Sequence, residues 1–244
     1  MENFTDLNQS SGPERNASAI ISHALEMFKG VFGYGILLMV IYLIASLLVQ
    51  PISGFNSQEF SEEIMSADGD YSALNFRNIP GLGVYYGLTG LLGILIAPLY
   101  VGFIYMVNKY NLKEAISFSD LFIGYKQNFV NIIIYALISS IILAISMLLC
   151  VIPVFFVFPL LLLGYPILLF ENASFSEALS KSFNIAKENY GTFLGTGLLG
   201  ILISISGVLL CGIGILVTFP FYLIVMYSIY CAYCGRPRPI LLPK

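Results

Sequence analysis

Six apolar blocks, residues 31–49, 82–107, 129–150, 152–170, 190–211 and 213–234, contain no Asp, Glu, Lys, Arg or His. About 20 such residues wound as a helix cross a hydrocarbon layer of ~30 Å. Of the regular structures, a helix pairs its backbone N–H and C=O groups within one segment, as that layer demands. The expected fold is therefore all-α: a polytopic membrane protein with six transmembrane helices. The run 129–170 is too long for one ordinary crossing and is divided by Val151-Ile152-Pro153, and 190–234 is divided at Gly212-Ile213-Gly214, where glycines permit a turn. With 58% of residues hydrophobic and 10% charged, little chain is left for a separate soluble domain. The reading is a polar tail over 1–17, a single six-span membrane domain over 18–234 with one long outer loop at 50–81, and a second tail over 235–244. The first tail lacks the basic start and cleavage site of a secretory signal, so the first span is expected to persist.

The basic residues give the orientation. Arg15, Lys29, Lys109, Lys113, Lys126, Lys181, Lys187, Arg236, Arg238 and Lys244 all fall on one side of a six-span path, and Arg77 alone falls on the other. Short loops rich in Lys and Arg stay in the cytoplasm, so both termini are expected there. The outer loop carries Glu59, Glu62, Glu63, Asp68 and Asp70. A net charge of −3 with thinly spread cations is not the basic face of a nucleic-acid binder.

A shift of 61 residues superposes Lys126-Gln127-Asn128 on Lys187-Glu188-Asn189, Cys150 on Cys211, and Phe158-Pro159 on Phe219-Pro220, while Pro98 lies the same distance before Pro159. Polar residues, cysteines and prolines are scarce in apolar helices, so these matches point to three pseudo-repeated hairpins. Each hairpin follows an amphipathic stretch: Ile20, Ala24, Met27 and Phe28; then Phe118, Leu121, Phe122 and Tyr125; then Phe175, Ala178, Leu179, Phe183 and Ala186, opened by the capping box Ser174-Phe175-Ser176-Glu177. These are expected to be interfacial amphipathic helices, lying flat with the apolar face in lipid. Lys126 and Lys187 are expected to reach the headgroups, and Asn128 and Asn189 to bond free backbone groups where the chain turns into a span. Pro98, Pro159 and Pro220 are expected to kink the second helix of each hairpin.

The run Glu171-Asn172-Ala173-Ser174-Phe175-Ser176-Glu177-Ala178-Leu179-Ser180-Lys181-Ser182-Phe183, followed by Lys187-Glu188-Asn189-Tyr190 and a Gly-rich span, resembles a widespread group of bacterial membrane proteins. The group includes the membrane domain named after glycerophosphoryl diester phosphodiesterase and related six-span integral membrane proteins of unknown function. The resemblance covers residues 118–234, about half the chain. It implies a fold and a location rather than a hydrolase, because no Glu, His and Asp ligand set accompanies it.

Chemistry finds few footholds. Cys231-Ala232-Tyr233-Cys234 has CxxC spacing but no second ligand pair. Cys150 and Cys211 occupy equivalent outer ends, where a disulfide is topologically allowed and packing without a bond is favoured. His23, the single histidine, lies beside Glu26 and is expected to face solvent or headgroups. Ser139, Ser140, Ser146, Ser204 and Ser206 have no histidine within the spans to act as base. Gly83/Gly87 and Gly191/Gly195 are spaced for close helix approach. No catalytic, metal or cofactor site is assigned. The function expected is non-enzymatic: binding of membrane lipids or of another membrane protein. A small transporter or channel for an uncharged substrate is the alternative, and an intramembrane enzyme ranks behind both.

Overall fold

The computed structural model describes residues 12–66, 79–149, 151–209 and 214–237. Among them every regular element is helical, and six helical stretches are long and apolar enough to cross a membrane: Ala17–Ser53, Leu82–Asn111, Phe129–Leu148, Ile152–Phe170, Tyr190–Leu209 and Ile215–Tyr233. The protein is thus an all-α polytopic membrane protein. In chain order its helices are α1 (Ala17–Ser53), α2 (Ser57–Ser66), α3 (Leu82–Asn111), α4 (Ile123–Lys126, entered through a 3₁₀ turn at Phe118–Phe122), α5 (Phe129–Leu148), α6 (Val151–Val157), α7 (Gly164–Phe170), α8 (Phe175–Glu188), α9 (Tyr190–Ser206), α10 (Ile215–Thr218) and α11 (Phe221–Tyr233). The fourth span is composite, α6 and α7 joined by a 3₁₀ turn at Phe158–Leu161. The sixth is composite too, α10 and α11 meeting at Phe219-Pro220.

The first amphipathic stretch is not a separate interfacial helix. Asn16 caps it, its Oδ1 accepting from the Ala19 N–H at 2.8 Å, and the chain then runs as one helix through to Ser53. Only Gly30 stands between Lys29 and Val31, and a single glycine weakens a helix without ending it. Its stripe Ile20, Ala24 and Met27, continued by Val31 and Leu38, is buried in protein rather than set in lipid. Periodicity marks an apolar face without saying whether lipid or a neighbouring helix covers it.

Two compact units are present, Met1–Met39 with Ala97–Lys244, and Val40–Ile96. In the smaller unit, Asn56 caps α2, with its Oδ1 accepting from Gln58 N–H at 3.0 Å. Phe55 is buried between Phe60 and Tyr85, at ring separations of 5.6 and 5.0 Å. Gly81 has φ +75°, and a Cβ there would stand 2.6 Å from both Phe55 N and Ser53 O, so this turn requires glycine twice over. Glu59 and Glu62 lie on α2, while Asp68 and Asp70 lie outside the described residues.

In the larger unit, the segment from Ser117 to Lys126 rests on α3 backbone to backbone. A Cβ on Gly102 would come within 1.8 Å of the Leu121 carbonyl oxygen, and one on Gly124 within 2.3 Å of that of Pro98. Leu121, Ile123 and Gly124 are consequently buried, and Lys109 bridges Asp120 at 2.9 Å across the same contact. The expectation that Leu121 points into lipid alongside Phe118, Phe122 and Tyr125 is therefore corrected. Leu121 faces α3, and the three aromatics with Phe129 form a ladder of ring contacts at 5.3, 6.3 and 5.8 Å.

Candidate functional site

The fourth span carries Pro153, Pro159 and Pro166. A helix tolerates proline well only in its first turn; Pro166 sits in the first turn of α7 and Pro159 in the 3₁₀ turn before it, so the helix must break between them. The break exposes backbone groups in an apolar layer, where each unpaired group is costly. Two side chains close the gap. Ser182 donates its hydroxyl proton to the Leu160 carbonyl at 2.5 Å and accepts from the Leu163 amide at 3.2 Å. Tyr135 donates to the Leu161 carbonyl at 2.8 Å, and its ring occupies the space that a side chain on Gly164 would need. In the sixth span Pro220 sits at the start of α11, and the Thr218 hydroxyl donates to the Ser204 carbonyl at 2.6 Å. Pro98, by contrast, lies inside an uninterrupted α3.

Helix α8 starts at the box read from the sequence: the Glu177 carboxylate accepts from Ser174 N–H at 2.8 Å, and Ser174 Oγ accepts from Glu177 N–H at 3.4 Å. The Ser174 amide and then its hydroxyl, both donating to the carboxylate at 2.8 Å, hold the Glu177 carboxyl below its ordinary value. The face of α8 that meets protein is the small one, Ala178, Ser182 and Ala186, because small residues let its backbone approach the broken span. Phe175, Leu179 and Phe183 flank that face, and Phe183 is exposed. Lys181 pairs with Glu171 at 2.6 Å, and Glu171 also accepts from the Tyr230 hydroxyl at 3.0 Å.

The paired Lys-x-Asn residues differ in what they do. Asn128 adopts φ +56° and sends its amide to the Leu168 carbonyl at 2.9 Å and the Ala173 carbonyl at 2.7 Å. It thereby serves one carbonyl in the last turn of α7, which the helix itself leaves free, and one in the connection from α7 to α8. Its own Oδ1 receives Asn131 at 2.6 Å, and Asn131 in turn accepts from Phe175 N–H at 3.2 Å. Asn189 stays local, donating to the Ile185 carbonyl of its own helix at 3.0 Å. Lys126 is exposed. Lys187 is exposed as well, its ammonium 6.0 Å from the Phe183 ring.

Between α8 and the α5–α6 hairpin lies a groove of about 480 Å³. Val157, Leu160, Phe175, Leu179 and Phe183 are among its walls, and of the described lining residues only Ser176 and Ser180 are polar. The apolar groove residues on α8, Phe175, Leu179 and Phe183, are four apart, and Lys187 continues the row one turn beyond Phe183.

His23 is not solvated as expected. Its Nδ1 lies 2.9 Å from Ser228 Oγ, and its ring stacks on Tyr227 at 6.3 Å. Tyr227 donates to Asn108 at 2.9 Å and accepts from Asn111 at 2.8 Å, and Arg236 bonds Asn111. Cys231 is a buried free thiol, and Cys234 is a free thiol that is half-buried. Cys150 and Cys211 lie outside the described residues. Gly83, Gly87 and Gly191 meet no described side chain or backbone within 4 Å, and Gly195 only Ala17 at 3.9 Å. The glycines in tight contact are others, Gly102, Gly124, Gly164 and Gly197 among them.

Six membrane-length helices, a mended break in the fourth and an apolar groove beside it define a polytopic helical membrane protein. No known protein family, curated protein or solved structure matches the chain.

Proposed function

We propose that this is a non-enzymatic lipid-binding protein of the bacterial inner membrane, with both termini cytoplasmic and its hairpins derived from an internal repeat. The observation that carries the reading is the groove between α8 and the α5–α6 hairpin. An exposed apolar channel of about 480 Å³ in a protein surrounded by bilayer is filled by the commonest apolar chain at hand, a lipid acyl tail. Lys187, past the end of the groove row, supplies a cation for a phosphate headgroup, an attraction of about 1 kcal/mol near an anionic surface.

Native mass spectrometry after mild detergent extraction tests it. The wild-type protein is expected to retain phospholipid, and Leu179→Trp, which fills the groove, to lose it while keeping its helix content and melting temperature. Equal lipid retention in the two would overturn the reading, and co-purification of one stable protein in place of lipid would shift it to a partner-binding role. A carrier for an uncharged substrate is the second reading, supported by the interruption in the middle of the fourth span; flux in reconstituted vesicles separates the two.

A further inference from the structure

A second cavity, of about 200 Å³, lies among α5, α7 and α11. Its polar lining is all hydroxyl: Tyr135, Tyr165 and Tyr222 with Ser139 and Ser140. No Asp, Glu, Lys, Arg or His is among its described lining residues. Tyr165 and Tyr222 are half-buried and Ser140 is exposed, so the cavity reaches the protein surface beside α5.

The hydroxyl protons divide into two groups. Ser139 donates to the Tyr135 carbonyl at 2.6 Å, Ser140 to the Ala136 carbonyl at 2.6 Å, and Tyr135 to the Leu161 carbonyl at 2.8 Å. Those protons are spent, which leaves the serine oxygens as acceptors. No hydrogen bond joins the hydroxyl of Tyr165 or Tyr222 to another described residue, so two phenol donors remain. Unspent donors in the interior of a membrane protein are expensive unless something in the cavity receives them. The space is too large for one water, which occupies about 30 Å³, and exceeds the ~150 Å³ that accommodates a benzene ring. Tyr135 and Tyr165 add an edge-to-face aromatic wall with ring centroids 5.3 Å apart.

We propose that this cavity is a binding site for a small uncharged molecule bearing one ring and a hydroxyl group, its oxygen accepting from Tyr165 and Tyr222 and its proton going to a serine oxygen. A charged ligand is disfavoured because no counter-charge lines the site. The proposal is independent of the lipid groove, although Leu161 belongs to the linings of both.

The test is fluorine NMR of 4-fluorobenzyl alcohol with the full chain in detergent micelles, with 4-fluorotoluene as the ring without the hydroxyl. A saturable bound resonance is expected for the alcohol, displaced by unlabelled benzyl alcohol, with the toluene bound about tenfold or more weakly. The double variant Tyr165→Phe/Tyr222→Phe keeps both rings and is expected to erase that preference. An alcohol signal that never saturates beyond micelle partitioning, or equal affinity for the two probes in the wild-type protein, would overturn the proposal without reference to any variant. So would a folded double variant that still prefers the alcohol.

Discussion

Asn128 and Asn189 share a sequence setting and not a job. Asn128 holds two carbonyls of a distant segment, 40 and 45 residues away along the chain, and accepts φ +56°, a region that Asn tolerates and a β-branched or bulky side chain does not. Asn189 serves only its own helix. Asn128→Leu is therefore expected to cost about 2 kcal/mol or more, from unpaired carbonyls and backbone strain together, and Asn189→Leu less than about 1 kcal/mol. Thermal unfolding of the two single variants in the same detergent measures the difference. Equal losses would mean that the long-range bonds contribute nothing. The repeat matched Lys126-Gln127-Asn128 with Lys187-Glu188-Asn189 correctly as letters, yet a side-chain amide gives no sign in sequence of whether its carbonyl partner is four residues away or forty.

Elements divide between those the sequence made plain and those it did not. All six spans were legible because a soluble helix needs a charged or polar face, and a stretch of about 20 residues without an ionisable group has none to offer water; the fourth begins and ends where expected, at Ile152 and Phe170. The effects of the prolines were only partly legible. Pro98 stands alone in its span and leaves α3 continuous, whereas Pro159 and Pro166 together force a gap. Ser182 and Tyr135, which mend that gap, were missed: a serine between alanines on an amphipathic helix reads as surface, and its place on the small-residue face of α8 was the one available signal. Glycine spacing misled in the same way, since Gly83 and Gly87 meet open space while Gly102, in no such motif, lies against the Leu121 backbone. Gly102→Ala is expected to dislodge the Ser117–Lys126 segment and lower stability by about 2 kcal/mol or more, while Gly87→Ala is expected to be neutral or stabilising by up to about 1 kcal/mol. Limited proteolysis within 112–128 reads the first effect, and an unchanged cleavage rate in Gly102→Ala would show that the close approach is not needed.

For the molecule as a whole, the proposed orientation has a direct check: a reporter fused after Lys244 is expected in the cytoplasm and one inserted near Asp68 outside it, and finding both on one side would contradict the six-span path. The mended fourth span also fixes an order of events during synthesis. The Leu163 amide and the Leu160 carbonyl find their partner in Ser182, 19 and 22 residues later in the chain. As the ribosome delivers the fourth span to the membrane, that partner has not yet been made, so the segment arrives with a defect it cannot repair alone. Its stable placement has to wait for α8. The fourth crossing and the helix after it are therefore delivered to the bilayer as one cargo, and a chain truncated at Phe170 would leave the insertion machinery holding a span that is hydrophobic enough to enter but too incomplete to stay.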